Sequence, residues 1–184
     1  AHGFVAYKLG DPTAKSLGRL TLNPIKHIDI VGAICMLFFR FGWAKPVPVN
    51  MYGFKDPKKG MAITSLAGPL MNILLVFISL TLWHLGCNVF KWNEYIISFL
   101  YICVYYNAVL AMFNLLPIPP LDGSKVLFAF LPDKHYYKLM QYEQFGMILI
   151  IVLSFTNMTS KIISVGVYNL IEKLERLVML ILGV

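Results

Sequence analysis

Asp122 is the residue that most needs a chemical explanation. It stands in Asn114-Leu-Leu-Pro-Ile-Pro-Pro-Leu-Asp122-Gly123, where three prolines end an apolar run and free the last carbonyls of a helix. A carboxylate at a broken helix end is a hard oxygen ligand for a divalent metal. Asp-Gly after Pro-Pro-Leu is also good turn chemistry, so two readings stand side by side. His2, in Ala1-His2-Gly3, is either a solvated residue or an imidazole ligand. Asn72 is an amide inside an apolar run next to Ala67 and Gly68, suited to hydrogen bonding between helices. His27 and Asp29 invite a metal or acid–base reading, but two positions apart on a helix they diverge, and His27 reads as structural. His84 is isolated in an apolar run and His135 lies among basic residues, so neither requires a functional role. Tyr105, Tyr106 and Asn107 are polar handles that either line a path or pack between helices. Cys35, Cys87 and Cys103 form no close pair and read as packing residues.

The elements that must position these groups are membrane-like. Of 184 residues, 58% are hydrophobic and 14% charged, and mean hydropathy is +0.69. A soluble domain of this size carries about a quarter charged residues. The net charge of +7 is spread in short groups beside apolar runs, the pattern of membrane topology signals rather than of a nucleic-acid groove. Residues 61–90 and 96–116 are each long enough to cross a ~30 Å hydrocarbon layer, and the turn at 91–94 makes them an antiparallel hairpin. Residues 28–39 would reach under ~20 Å as a helix, so they are expected to be re-entrant or interfacial. Lys8, Lys15, Arg19 and Lys26 precede that run and Lys45, Lys55, Lys58 and Lys59 follow it, which puts both flanks on the cytoplasmic side. The hairpin then returns Asp122 to that same face, with Lys125, Lys134 and Lys138 beyond it. The Trp-Ala-Lys-Pro-Val-Pro-Val-Asn stretch at 43–50 reads as extended chain. Residues 145–155 and 162–184, separated by 156–161, are either one long kinked span or two short ones. The expected fold is an all-α integral membrane protein, a polytopic helical bundle with a re-entrant or extended segment between the first and second core helices. One membrane-embedded domain covers 1–184.

Several motifs resemble the site-2 protease family (peptidase M50), in its compact class without a PDZ domain. Asn114 to Gly123 resembles that family's second metal motif, and Ala67-Gly-Pro-Leu-Met-Asn72 its Gly-Pro-x-x-Asn helix. Asn23-Pro-Ile-Lys-His27-Ile-Asp29 and the stretch 43–50 resemble the link between the first two core helices, although Ile30 stands where the family usually has proline. Ala1-His2-Gly3 resembles the end of the family's His-Glu-x-x-His motif and the Gly that commonly follows it.

The resemblance implies a zinc-dependent endopeptidase cutting membrane-spanning proteins or peptides inside the bilayer, as in regulated intramembrane proteolysis, in a multi-pass protein of a prokaryotic cell membrane. It implies His2 and Asp122 as zinc ligands and Asn72 as a holder of the substrate carbonyl or oxyanion. The other histidine and the catalytic Glu are expected upstream of Ala1, the first core helix being largely missing, so this chain alone is expected to be inactive. A membrane helix hides its peptide bonds, so substrate must unwind, with Val47-Pro48-Val49 a candidate edge for the strand. The alternatives are a catalytically dead relative that binds membrane helices, and a small transporter. A transporter would be expected to pair its broken helices in a repeat, and only one break is present, at Pro117 to Pro120.

Overall fold

The structure is a computed structural model that describes residues 1–39, 42, 44–141, 146 and 157–183. It is helical, and among the described residues no strand forms. Contacts divide the chain into two compact units, residues 1–64 and 65–184.

The first unit opens with α1 (His2–Lys8) and α2 (Thr13–Ser16). They pack through small residues: a Cβ added at Gly3 would lie 3.1 Å from the Ala14 Cβ, and Ala6 and Ala14 are fully buried. A 3-10 turn (Pro24–Lys26), begun by the Asn23 side chain accepting from Ile25 N, leads into α3 (Ile30–Phe39). Asp29 caps α3 by accepting from Gly32 N at 2.9 Å, which makes Ile30 the first helical residue. A proline would fit that same position, since its missing N–H is not needed there, so the departure from the family's His-Ile-Asp-Pro leaves the turn intact. At ten residues α3 is about 15 Å long and too short to cross, as its sequence indicates.

Residues 44–50 are extended as expected, Trp43 lying outside the described residues, but they do not join a sheet. One antiparallel bridge, Ile28 to Ala44, and the bond from Lys45 N to His27 O tie them to the start of α3. A 3-10 turn (Met51–Gly53) then leads to α4 (Pro57–Leu85), which begins in this unit and continues in the second.

In the second unit α4 runs on as a π turn (Gly86–Phe90) and reverses at Lys91, whose φ of 49° is left-handed. Trp92 N donates to Gly86 O, and a Cβ on Gly86 would meet the Trp92 ring at 2.5 Å, so only glycine lets the indole fold back here. Asn93 caps α5 (Glu94–Asn114), which runs antiparallel to α4, with Ile97 beside Gly86 and Val104 and Ala108 in one core with Val76 and Leu80. The segments Pro57–Phe90 and Glu94–Asn114 are long and apolar enough to cross a membrane. Only 17% of the apolar window of α5 is buried, so Phe99, Ile102 and Leu110 face outward, a costly arrangement against water.

After the proline break come α6 (Asp122–Phe128), α7 (Asp133–Gln141) and α8 (Asn157–Leu182). Helix α8 packs closely on α5, where Gly166 meets Met112. The polar stretch 156–161 is not a break before residue 162: from Asn157 it is the opening of α8, with Ser164 Oγ donating to Lys161 O. Residues 145 and 147–156 lie outside the described residues, so the expected run at 145–155 is not described beyond Gly146. Helix α8 is long enough to cross, but Glu172, Lys173, Glu175 and Arg176 make it far more polar than α4 or α5.

Candidate metal centre

His2 is half-buried in the first turn of α1, and its Nδ1 lies 2.8 Å from the carbonyl oxygen of Thr64 on α4. A carbonyl can only accept, so Nδ1 donates, and in the neutral imidazole Nε2 is then the lone-pair nitrogen. Histidines that ligate metals have this arrangement, the second nitrogen donating to a carbonyl that fixes tautomer and ring orientation. Gly3 holds α1 close: a Cβ there would lie 2.9 Å from Leu20 and 3.2 Å from Val47. The glycine after this histidine therefore has a steric reason, and it brings the extended segment against α1.

Asp11 secures the same corner. It is fully buried and accepts from Thr13 N at 3.0 Å, from the Thr13 hydroxyl, and from Asn50 N at 2.7 Å. Burial alone would raise its pKa, but these three hydrogen bonds outweigh that and hold the carboxyl below its ordinary value. Asp11 thus fastens the α1–α2 turn to the far end of the extended segment, while Arg19 donates to Lys45 O at 2.9 Å near its start. Sequence reasoning passed over Asp11. Its signal was Asp11-Pro12-Thr13, an acceptor and a proline at a helix start.

In the second unit, helix α5 ends at Asn114 with Leu115 as its cap, and Pro117 cannot continue it. The chain turns through a cis Pro119–Pro120 bond, and Leu121 N donates to Ile118 O. Asp122 begins α6, half-buried, in front of a packed backbone: a Cβ on Gly123 would collide with Leu115 O, and one on Gly146 with Pro119 O. Asn72 is half-buried on α4, one turn beyond the fully buried Pro69, which leaves the carbonyl of Ser65 without its usual helical donor. Asp122 and Asn72 belong to the second unit and His2 to the first.

The other candidates take structural places. His27 Nε2 lies 2.9 Å from Thr21 O while Asp29 caps α3, so the two serve different partners. Asn107 turns its amide onto its own helix, donating to Cys103 O at 2.8 Å. His135 is exposed on α7. His84 is less isolated than its sequence suggests: it is buried, with Nε2 3.5 Å from Glu175 Oε1 on α8. That partner lies far along the chain, and no local pattern announces it.

Among the described residues no three or more His, Cys, Asp or Glu side chains gather into a cluster. The donors at issue, an imidazole nitrogen and a carboxylate oxygen, are both types that zinc accepts, and His2 has the orientation of a ligand, so these residues fit the metal that the motifs imply.

Comparison with known proteins bears on the same residues. Residues 87–156 match the model of peptidase family M50. The chain is 44% identical over 168 residues to "Putative zinc metalloprotease YwhC" of Bacillus subtilis (strain 168), a span covering 89% of this chain and 77% of that protein. Two relatives bearing the same description are Rip2 of Mycolicibacterium smegmatis, at 30% identity over 84% of this chain and 61% of its own, and MJ0611 of Methanocaldococcus jannaschii, at 36% over 53% and 49%. No solved structure matches. Identity of this extent over most of both chains, together with the match to the family model, settles the classification, and the chain belongs to peptidase family M50.

Proposed function

We propose that the chain is the core of a zinc-dependent endopeptidase of the site-2 type, embedded in a cell membrane and cleaving membrane-spanning proteins or peptides. The observation that carries this reading is the bond between His2 Nδ1 and Thr64 O, which presents Nε2 as a metal ligand. Family membership and two outward-apolar helices support it. His2 and Asp122 hold one zinc, at the cytoplasmic ends of the helices, the side that the Lys and Arg distribution assigns to both. When bound, zinc acts as a Lewis acid that polarises water and carbonyl oxygen. The Asn72 amide steadies the substrate carbonyl and its developing negative charge. The extended chain at 44–50, tied to the first unit at both ends, offers Val47 and Val49 as an edge along which an unwound substrate lies.

The test is cleavage of a transmembrane reporter by the full-length gene product in vesicles. His2→Ala and Asp122→Asn are each expected to lower turnover by more than about a hundredfold, since several kcal/mol of charge stabilisation leave with the metal. Replacing both Val47 and Val49 with proline is expected to reduce cleavage while zinc content stays constant. Undiminished turnover in the His2 or Asp122 variant contradicts the ligand assignment, and undiminished turnover in the proline variant contradicts the edge.

A further inference from the structure

A cavity of about 580 Å³ lies between α4, α5 and α8, and neither Asp122 nor Asn72 lines it. Its two ends differ in chemistry. Gly166 of α8 meets Met112 of α5, whereas Glu175 of α8 meets His84 of α4, so α8 runs antiparallel to α5. Val109 and Ile163 therefore line one end, and Trp83, Tyr101 and Glu175 the other.

The second end is built for a cation. None of the lining residues is basic. Glu172 is engaged by Arg176, but Glu175 faces His84, which is 7% exposed and whose Nε2 has no hydrogen-bond partner among the described residues. The Glu175 oxygen 3.5 Å from that nitrogen is not hydrogen-bonded to it, and it is Glu175 that lines the cavity. A primary ammonium carries three N–H donors and suits this carboxylate, and the aromatic rings of Trp83 and Tyr101 line the same end.

The position along the helices indicates where such a group comes from. Trp83 stands one to two turns before the Phe90–Trp92 ring stack, an aromatic pair of the kind that sits at headgroup level. From Tyr101 to Val109 the cavity wall descends about 12 Å along α5, away from that turn and toward apolar surroundings. A polar head near the interface and an apolar tail toward the middle is the outline of a lipid. We propose that this cavity binds a membrane lipid bearing a primary ammonium headgroup, with Glu175 receiving the ammonium. The proposal rests on the membrane reading above, but not on the metal centre.

The experiment is native mass spectrometry of the full-length gene product in detergent, titrated with dioctanoyl phosphatidylethanolamine, dioctanoyl phosphatidylglycerol or N-acetyl-lysine amide. One phosphatidylethanolamine per chain is expected, held about tenfold more tightly than phosphatidylglycerol, with that preference lost in Glu175→Gln and weakened in Trp83→Leu. Equal binding of the two lipids by the unsubstituted protein overturns the proposal whatever the variants do, as does an unchanged preference in Glu175→Gln. Binding of the lysine amide as tightly as the lipid overturns the lipid as occupant in favour of a protein side chain. Alkaline carbonate extraction separates the underlying reading: release into the aqueous phase overturns both, whereas a chain that stays in the membrane but binds the lipids alike overturns the lipid site alone.

Discussion

At the scale of single residues, the site depends on polar groups whose partners are distant in sequence. His2 is oriented by Thr64 and Asp11 is satisfied by Asn50, 62 and 39 positions away. Asp11→Asn is nearly isosteric but turns an amide N–H toward a backbone donor, so it should cost about 1–3 kcal/mol. The pH dependence has a definite sign. Because the native carboxyl titrates below its ordinary value of 3.8, Asp11 contributes stability above that value and loses it as pH falls through the lower native pKa. Thermal unfolding followed by circular dichroism in detergent should show the gap between the unsubstituted protein and the Asp11→Asn variant narrowing below about pH 4. A gap that does not change down to about pH 2 would mean that the carboxylate charge contributes nothing.

At the scale of elements, the break after α5 sets the position of Asp122. Pro117 stops the helix, and Gly123 lets the start of α6 pack against the carbonyls of Leu115 and Leu116. Gly123→Ala places a methyl group against rigid backbone, which should destabilise the protein by about 1–3 kcal/mol and displace Asp122. A melting temperature equal to that of the unsubstituted protein would refute this packing. The break was legible because proline acts locally, and so were the lengths of α3, α4 and α5, because each apolar run nearly equals its helix. The α1–α2 corner was not, since a buried carboxylate linking residues 11 and 50 leaves no periodic trace. Nor was the place of α8: its opening stretch looks like a linker, and the pairing of Glu175 with His84 depends on how three helices pack.

At the scale of the whole molecule, the question is whether His2 and Asp122, far apart in the chain, serve one metal. The motifs that carry the resemblance run from Ala1 to Gly123, and the structure accounts for several of them sterically: Gly3 by close packing, Asp29 by capping, Gly123 by backbone contact. Those reasons concern folding, so they leave the joint role of His2 and Asp122 to a direct measurement. That measurement is zinc affinity of the full-length gene product by chelator competition, for the unsubstituted protein, His2→Ala, Asp122→Asn and the double variant. If both residues hold one ion, each single change should weaken binding at least about tenfold, and the double variant should fall well short of the product of the two losses. Losses that multiply, or an affinity that either change leaves intact, would contradict the shared zinc centre.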